Sequence, residues 1–221
     1  MGSLTESIPK PMIVVSGRPI VEYIVDSLPE DVSEVIFVVG YLGVLIKEHF
    51  GDTYKGRKIV YVEQNTLDGT AGALWKAQAF VRERFLVLNG DDICQAADIL
   101  ACASSPDWAI LVQRVDDVGS AGKVIVDDRG FVTEIQEKEV HSGGPGLANT
   151  ANLFLLDTRV FSYPLVLRPG SDTEYGLPQT VVQASSDIPI RTVEAHALIR
   201  ISEPADIARA EGLLAEIGKI H

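Results

Sequence analysis

Apolar residues along this chain recur in two rhythms. Unbroken runs, Val35-Ile36-Phe37-Val38-Val39 closed by Gly40, Ile59-Val60-Tyr61-Val62 and Phe85-Leu86-Val87-Leu88, are short and rich in β-branched or aromatic side chains. That is the pattern of strands covered on both faces. Between and before them, apolar positions recur at three- and four-residue spacing over about residues 20–28, 42–49 and 71–81, which predicts amphipathic helices. Strands alternating with helices of this length predict right-handed crossovers and a parallel sheet.

Beyond Pro106 the rhythm changes. Trp108-Ala109-Ile110-Leu111-Val112 predicts a strand, and Lys123-Val124-Ile125-Val126, Asp127-Asp128-Arg129-Gly130 and Phe131-Val132-Thr133-Glu134-Ile135 read as strand, turn, strand. Residues 150–156 form another apolar run. Glu203-Pro204-Ala205-Asp206 opens a closing helix through Ile217, with proline near its first turn and Gly218 as its stop. Ser142-Gly143-Gly144-Pro145-Gly146 reads as a mobile surface turn. The whole predicts an α/β fold in one domain over residues 1–221.

Composition narrows the partners. A chain of 221 residues, 46% hydrophobic and 23% charged, is long enough for one sizeable core. Its net charge of −12, from 31 acidic and 19 basic residues, opposes general binding to nucleic acid or to a membrane surface. A small polyanionic substrate stays open, because a few local cations suffice for a pocket. No run approaches the ~20 apolar residues that span a bilayer. Met1-Gly2-Ser3-Leu4-Thr5-Glu6-Ser7 has neither a basic head nor an apolar stretch, so no signal peptide is expected. A helix between Cys94 and Cys102 would hold them about 12 Å apart, so two free thiols in a reducing cytoplasm are expected.

Two short runs carry the chemistry. Lys10, between Pro9 and Pro11, cannot sit mid-helix and is expected on an extended loop leading into Ile13-Val14-Val15, where it can neutralise a phosphate oxygen. Asp91 and Asp92 follow the run at 85–88, at the carboxyl end of a strand, where open α/β sheets bind ligands. One of the two can ligate magnesium, which takes few carboxylates together with substrate oxygens. Gly69-Thr70-Ala71-Gly72-Ala73-Leu74 puts small residues at a helix start, where backbone can approach a base or phosphate. Glu137 and Lys138 follow the strand ending at Ile135. Gly119-Ser120-Ala121-Gly122-Lys123-Val124 lacks the spacing and the hydroxyl residue of a phosphate loop, and His49, His141, His196 and His221 show no metal-ligand spacing.

In order, Leu4-Thr5-Glu6-Ser7-Ile8-Pro9-Lys10-Pro11-Met12, Val38-Val39-Gly40-Tyr41-Leu42, Gln64 with the run at 67–74, Leu88-Asn89-Gly90-Asp91-Asp92, the Gly-Lys strand at Gly122 and the Glu-Lys pair at Glu137 resemble the sugar-1-phosphate nucleotidylyltransferase family. The resemblance covers about residues 4–210. It implies a Rossmann-like mixed sheet with flanking helices, of the nucleotide-diphospho-sugar transferase type. A nucleotide-binding part over about 4–105 and a sugar-binding part over about 106–221 are implied with it. The implied reaction joins a nucleoside triphosphate to a sugar 1-phosphate and releases pyrophosphate, with Mg2+. Lys10 would act on phosphate, Gln64, Gly69 and Thr70 would bind the nucleotide, and Asp91 would hold the metal. Glu137, Lys138 and Asn152 would bind the sugar phosphate. The run at 69–74 leans towards mannose-1-phosphate guanylyltransferases, and a homo-oligomer is left open.

Two departures qualify the resemblance. The family's first strand, central between those matching residues 35–39 and 85–88, and its Gly-x-Gly-Thr-Arg loop precede the segment matched here. The expectation is a fold lacking that first strand, with two inner ladders unpaired and poor catalysis. Arg200 stands where the family has a second metal-binding aspartate, and a cation cannot ligate magnesium. These departures suggest an alternative, a catalytically impaired relative that binds a sugar nucleotide or serves as a regulatory subunit. Transfer to a phosphocholine-like or alditol phosphate on the same fold is a further reading.

Overall fold

The strand-forming runs divide between separate sheets. The computed structural model describes residue 5 and residues 7–138, 140–149, 151–201 and 203–217. A tight hairpin of β1 (Val14–Val15) and β2 (Arg18–Pro19) leads into helix α1 (Ile20–Asp26). Strand β3 (Glu34–Val39), helix α2 (Gly43–Phe50), and strands β4 (Thr53–Tyr54) and β5 (Arg57–Glu63) follow. β3 and β5 pair in parallel from Glu34↔Lys58 to Val39↔Glu63, and β4 adds antiparallel to β5. Arg57 ties this sheet to the end of α1 by donating to the carbonyls of Leu28, Pro29 and Val32. Val21, Val25, Ile46, Phe50 and Ile59 make its buried core.

Helix α3 (Gly69–Ala77) then crosses to β6 (Arg84–Val87). Here the expected single parallel sheet fails. β6 pairs antiparallel with β12, a later strand, and belongs to a different sheet from β3. The chain continues through β7 (Asp92–Cys94), α4 (Ala96–Ala103), β8 (Trp108–Val115), β9 (Gly122–Val126) and β10 (Val132–Gln136). β11 (Gly146–Asn149), β12 (Phe154–Asp157), α5 (Leu177–Val182) and β13 (Ile190–Glu194) follow, and β14 (Leu198–Arg200) and α6 (Ala205–Ile217) end the described chain. The expected helix stop at Gly218 lies outside the described residues.

β8 organises the larger, seven-stranded sheet: it pairs in parallel with β13 and antiparallel with β11 and β12. Trp108, Ile110, Phe154, Leu156 and Ile190 pack there against Ala71 and Leu74 of α3 and Leu177 and Val181 of α5. The predicted strand–turn–strand at 123–135 is β9 and β10, with a bulge between Val132 and Glu134. The glycine-rich segment at 142–146 is tied down and is no free turn: Gly144 N–H donates to Asp117 at 2.8 Å, Gly143 N–H to His141 Nδ1 at 3.0 Å, and Gly146 already belongs to β11. Cys94 and Cys102 are free and buried, as expected.

Among the described residues β3 is paired only along β5, and β6 only along β12. The edges of both line a cleft of about 790 Å³ whose walls include residues 35–39 and 85–88. The two unpaired inner ladders expected from the sequence are therefore present. A second, two-stranded ribbon of β7 and β14 packs its Ile93 and Ile199, with Ile201, against Ile20 and Ile24 of α1, and it delivers two charged residues to the site.

Candidate active site

Lys10 begins a short 3-10 turn, Lys10–Met12, closed by Met12 N–H donating to the Pro9 carbonyl at 2.8 Å. This corrects the extended loop: Pro11 supplies the φ that starts a helical turn and needs no N–H there. The turn packs on the loop after β6, where a side chain at Gly90 would lie 3.2 Å from Pro11 Cγ. That close fit aims Lys10 at Asp91, and its Nζ donates to Asp91 Oδ2 at 2.6 Å with both side chains about a quarter exposed.

Asp92 opens β7 and turns inward. It is 6% exposed, and its Oδ1 has no hydrogen-bond partner among the described residues. Burial, and then the negative charge of Asp91, push its carboxyl up to about 6, outweighing the opposing pull of Arg200 and Lys10. The two neighbouring aspartates thus have different surroundings, one salt-bridged at the mouth of the site and one inside.

Seven of the eight residues expected at the site line one cleft of about 550 Å³: Lys10, Gln64, Gly69, Thr70, Asp91, Glu137 and Asn152. Lys138 is the exception. It is exposed and does not line the cleft, because β10 ends at Gln136 and the chain turns at once, Val140 N–H donating to the Glu137 carbonyl at 2.8 Å. Glu137 Oε1 accepts from Gln179 Nε2 at 2.9 Å. Asn152, held at φ 45°, accepts from Asn149 Nδ2 at 2.7 Å.

The residues expected to meet the nucleotide also hold the fold. Gln64 Nε2 donates to Asp68 Oδ1 at 2.7 Å, and Thr70 Oγ1 accepts from Leu177 N–H at 3.0 Å. Gly69, at φ 89°, has no room for a Cβ because the Tyr175 backbone passes against it. Ala71 N–H donates to the Tyr175 carbonyl at 3.0 Å, locking that approach. Asn149, Gln179 and Arg168 line the cleft too and were not anticipated. Asn149 had a faint signal in the repeated asparagine at 149 and 152; Gln179 and Arg168 had none.

No group of three or more histidine, cysteine, aspartate or glutamate side chains suited to a metal is present among the described residues. Magnesium does not need one, since it is held by one or two carboxylates and completed by substrate phosphates and water. The orphaned Oδ1 of Asp92 beside Asp91 fits a divalent cation in that manner, with Asp91 the accessible carboxylate.

This arrangement is a cation on a carboxylate at the mouth of a polar cleft. The model of the nucleotidyl transferase family matches residues 1–182, and the chain belongs to that family. It is 30% identical over 161 residues to the D-glycero-alpha-D-manno-heptose 1-phosphate guanylyltransferase of Campylobacter jejuni, covering 72% of each chain. It is 34% identical over 159 residues to the bifunctional protein GlmU of Methanocaldococcus jannaschii, covering 72% of this chain and 37% of that relative. The chain thus spans less than half the length of GlmU relatives that it matches. The crystal structure of HddC from Yersinia pseudotuberculosis superposes with a TM-score of 0.70 at 25% identity, covering 94% of this chain and 91% of the other. The resemblance to sugar-1-phosphate nucleotidylyltransferases and the mixed α/β fold expected from it both hold.

Proposed function

We propose that this chain joins a nucleoside triphosphate to a sugar 1-phosphate and releases pyrophosphate. The observation that carries the reading is the Lys10–Asp91 pair, 2.6 Å apart, opening on a cleft that also holds Glu137, Asn149 and Asn152. An oxygen of the sugar 1-phosphate attacks the α-phosphorus of the nucleotide, that new P–O bond forms, and the bond to the bridging oxygen breaks with pyrophosphate leaving. Such a displacement needs positioning and neutralised charge more than a covalent nucleophile. Mg2+, bound through Asp91, would supply a Lewis acid that neutralises phosphate charge. Lys10, at the mouth of the cleft beside Asp91, would place its ammonium on a phosphate oxygen as charge develops. Glu137, oriented by Gln179, would accept from sugar hydroxyls, and Asn149 and Asn152 would border them. Gln64, Gly69 and Thr70 would border the base, giving a nucleotide part in residues 4–105 and a sugar part in 106–221.

The buried free thiols suit a reducing cytoplasm, and no helix among the described residues is long and apolar enough to cross a membrane. The test is pyrophosphate release from GTP or UTP, each offered with a panel of hexose and heptose 1-phosphates and Mg2+. Release that requires both substrates and is lost in Asp91→Asn supports the reading. Nucleotide binding with no release for any acceptor overturns it in favour of a non-catalytic sugar-nucleotide binder.

A further inference from the structure

Among the described residues three cations line the cleft, and two of them are in ion pairs. Lys10 lies 2.6 Å from Asp91, and Arg168 lies 3.0 Å from Glu174. Arg200 is the third. Among the described residues it makes no ion pair within 4 Å, and its side chain is exposed. Its position is nevertheless fixed. β14 pairs antiparallel with β7, which sets Arg200 directly opposite Asp92, and the neighbouring Ile199 and Ile201 are buried at 4% and 0% exposure. Its carbonyl accepts from Arg209 Nη2 at 3.2 Å, which ties the end of β14 to α6.

We propose that Arg200 binds a phosphate oxyanion of the substrates directly. The inference rests on the function proposed above and adds a residue to it. A guanidinium presents a planar fork of donors that grips two oxygens of one phosphate, whereas an ammonium offers a point charge. In a cleft that also contains Asp91, Asp92, Glu137 and Glu174, an arriving phosphate meets mostly negative side chains. Arg200, held in no ion pair within 4 Å among the described residues although it feels the Asp92 charge across the ribbon, is the one best able to offset that repulsion. Cross-strand neighbours carry their Cβ atoms about 5 Å apart, so Arg200 and Asp92 share one side of the ribbon and both line the cleft. At this position the chain therefore meets phosphate charge directly instead of through a second metal ligand.

The phosphate belongs either to the nucleotide or to the sugar, and titration calorimetry on the whole chain separates the two. One arm titrates GTP or UTP with Mg2+, and the other titrates mannose 1-phosphate or glucose 1-phosphate. Arg200→Gln is expected to weaken one arm about 10- to 100-fold, with a shallower salt dependence and an unchanged melting temperature. Arg200→Lys is expected to recover only part of the loss, because the fork is gone. A loss confined to the first arm assigns the nucleotide phosphates; one confined to the second assigns the sugar phosphate. Wild-type affinity in both arms for Arg200→Gln overturns the inference, as does full recovery of a loss by Arg200→Asp. A loss that accompanies a lowered melting temperature, with Arg200→Lys no better than Arg200→Gln, also overturns it and leaves a structural arginine. If the unaltered chain binds ligand in neither arm, the proposed function itself fails, a result distinct from a normal chain whose Arg200 variants bind as well as it does.

Discussion

Two strands of similar composition end in different surroundings. In β8, Trp108, Ala109, Ile110, Leu111 and Val112 are each 2% exposed or less. In β3, every residue from Glu34 to Val39 is only half-buried, although Val35-Ile36-Phe37-Val38-Val39 is just as apolar. The difference lies in the neighbours. β8 has partners on both sides, β13 on one hand and β11 and β12 on the other, with α4 and the packed core against it. β3 has β5 on one side and the 790 Å³ cleft towards β6 on the other. A strand's own residues say that it wants cover; its register partners decide whether it gets any. The densely packed half thus carries Glu137, Asn149 and Asn152, which the proposed function gives to the sugar, and Gln64 follows the open sheet beside the gap.

The largest expected effect contrasts the two cores. Phe154→Ala, at a fully buried site on β12, is expected to cost about 3–5 kcal/mol, and Val38→Ala on β3 about 1 kcal/mol. Denaturant unfolding measures both, and equal costs would erase the distinction between the halves. Next comes the site that joins them. Lys10→Ala is expected to lower kcat/KM about 100- to 1,000-fold while the melting temperature hardly moves, because a side chain a quarter exposed contributes charge and little packing. Asp91→Asn is expected to abolish magnesium-dependent nucleotide affinity in calorimetry with stability in the absence of ligand retained. Affinity that survives in Asp91→Asn would remove this carboxylate from the metal site.

A gentler probe leaves the chain unaltered. Amides of β3 and β6 that face the cleft are expected to exchange with deuterium at least about 10-fold faster than those of β8, since opening them breaks fewer contacts. Uniform protection would show that the cleft closes in solution.

The smallest effect concerns the loop that leads into β14. Asp98 is fully buried and accepts both from His196 N–H at 3.0 Å and at the ring Nδ1, 2.5 Å away. That hydrogen bond, and then the charge of Asp98, raise the His196 pKa above its usual 6.5. The protonated form is therefore favoured in the fold. Its contribution is complete below about pH 6.5 and is lost as pH rises through the raised value. A slight fall in melting temperature is expected as pH rises above about 6.5, and His196→Gln is expected to flatten it. An unchanged profile in that variant would show that the pair does not titrate in this range.

Much of the site was legible because its logic is local. Lys10 between prolines and Asp91 after an apolar run are short-range patterns, which bar the first from a helix interior and put the second at a strand end, although the 3-10 turn at Lys10 was not among them. Glu137 and Lys138 show the limit of that reading. The pair was visible, but only the turn that follows β10 decides that Glu137 lines the cleft and Lys138 is exposed. Gly69 is a second case: its small size was apparent, but the need for it comes at least in part from the Tyr175 backbone, which arrives from far along the chain.

By itself, then, the sequence determined the strands around 35–39, 59–62, 85–88 and 108–112, the helices around 20–28, 42–49 and 71–81, and the family, because periodicity and backbone restriction act over a few residues; it marked neither the 3-10 turn at Lys10 nor α4, α5, β7, β13 and β14. Tertiary structure alone decided that β6 pairs with β12 and not with its apparent sheet-mates, that Gln179 orients Glu137, and that Arg200 stands opposite Asp92 as the uncommitted cation of the cleft. Those facts are long-range pairings. They depend on how sheets complete their hydrogen-bonded ladders and how buried charges find partners, and no local pattern of residues encodes either choice.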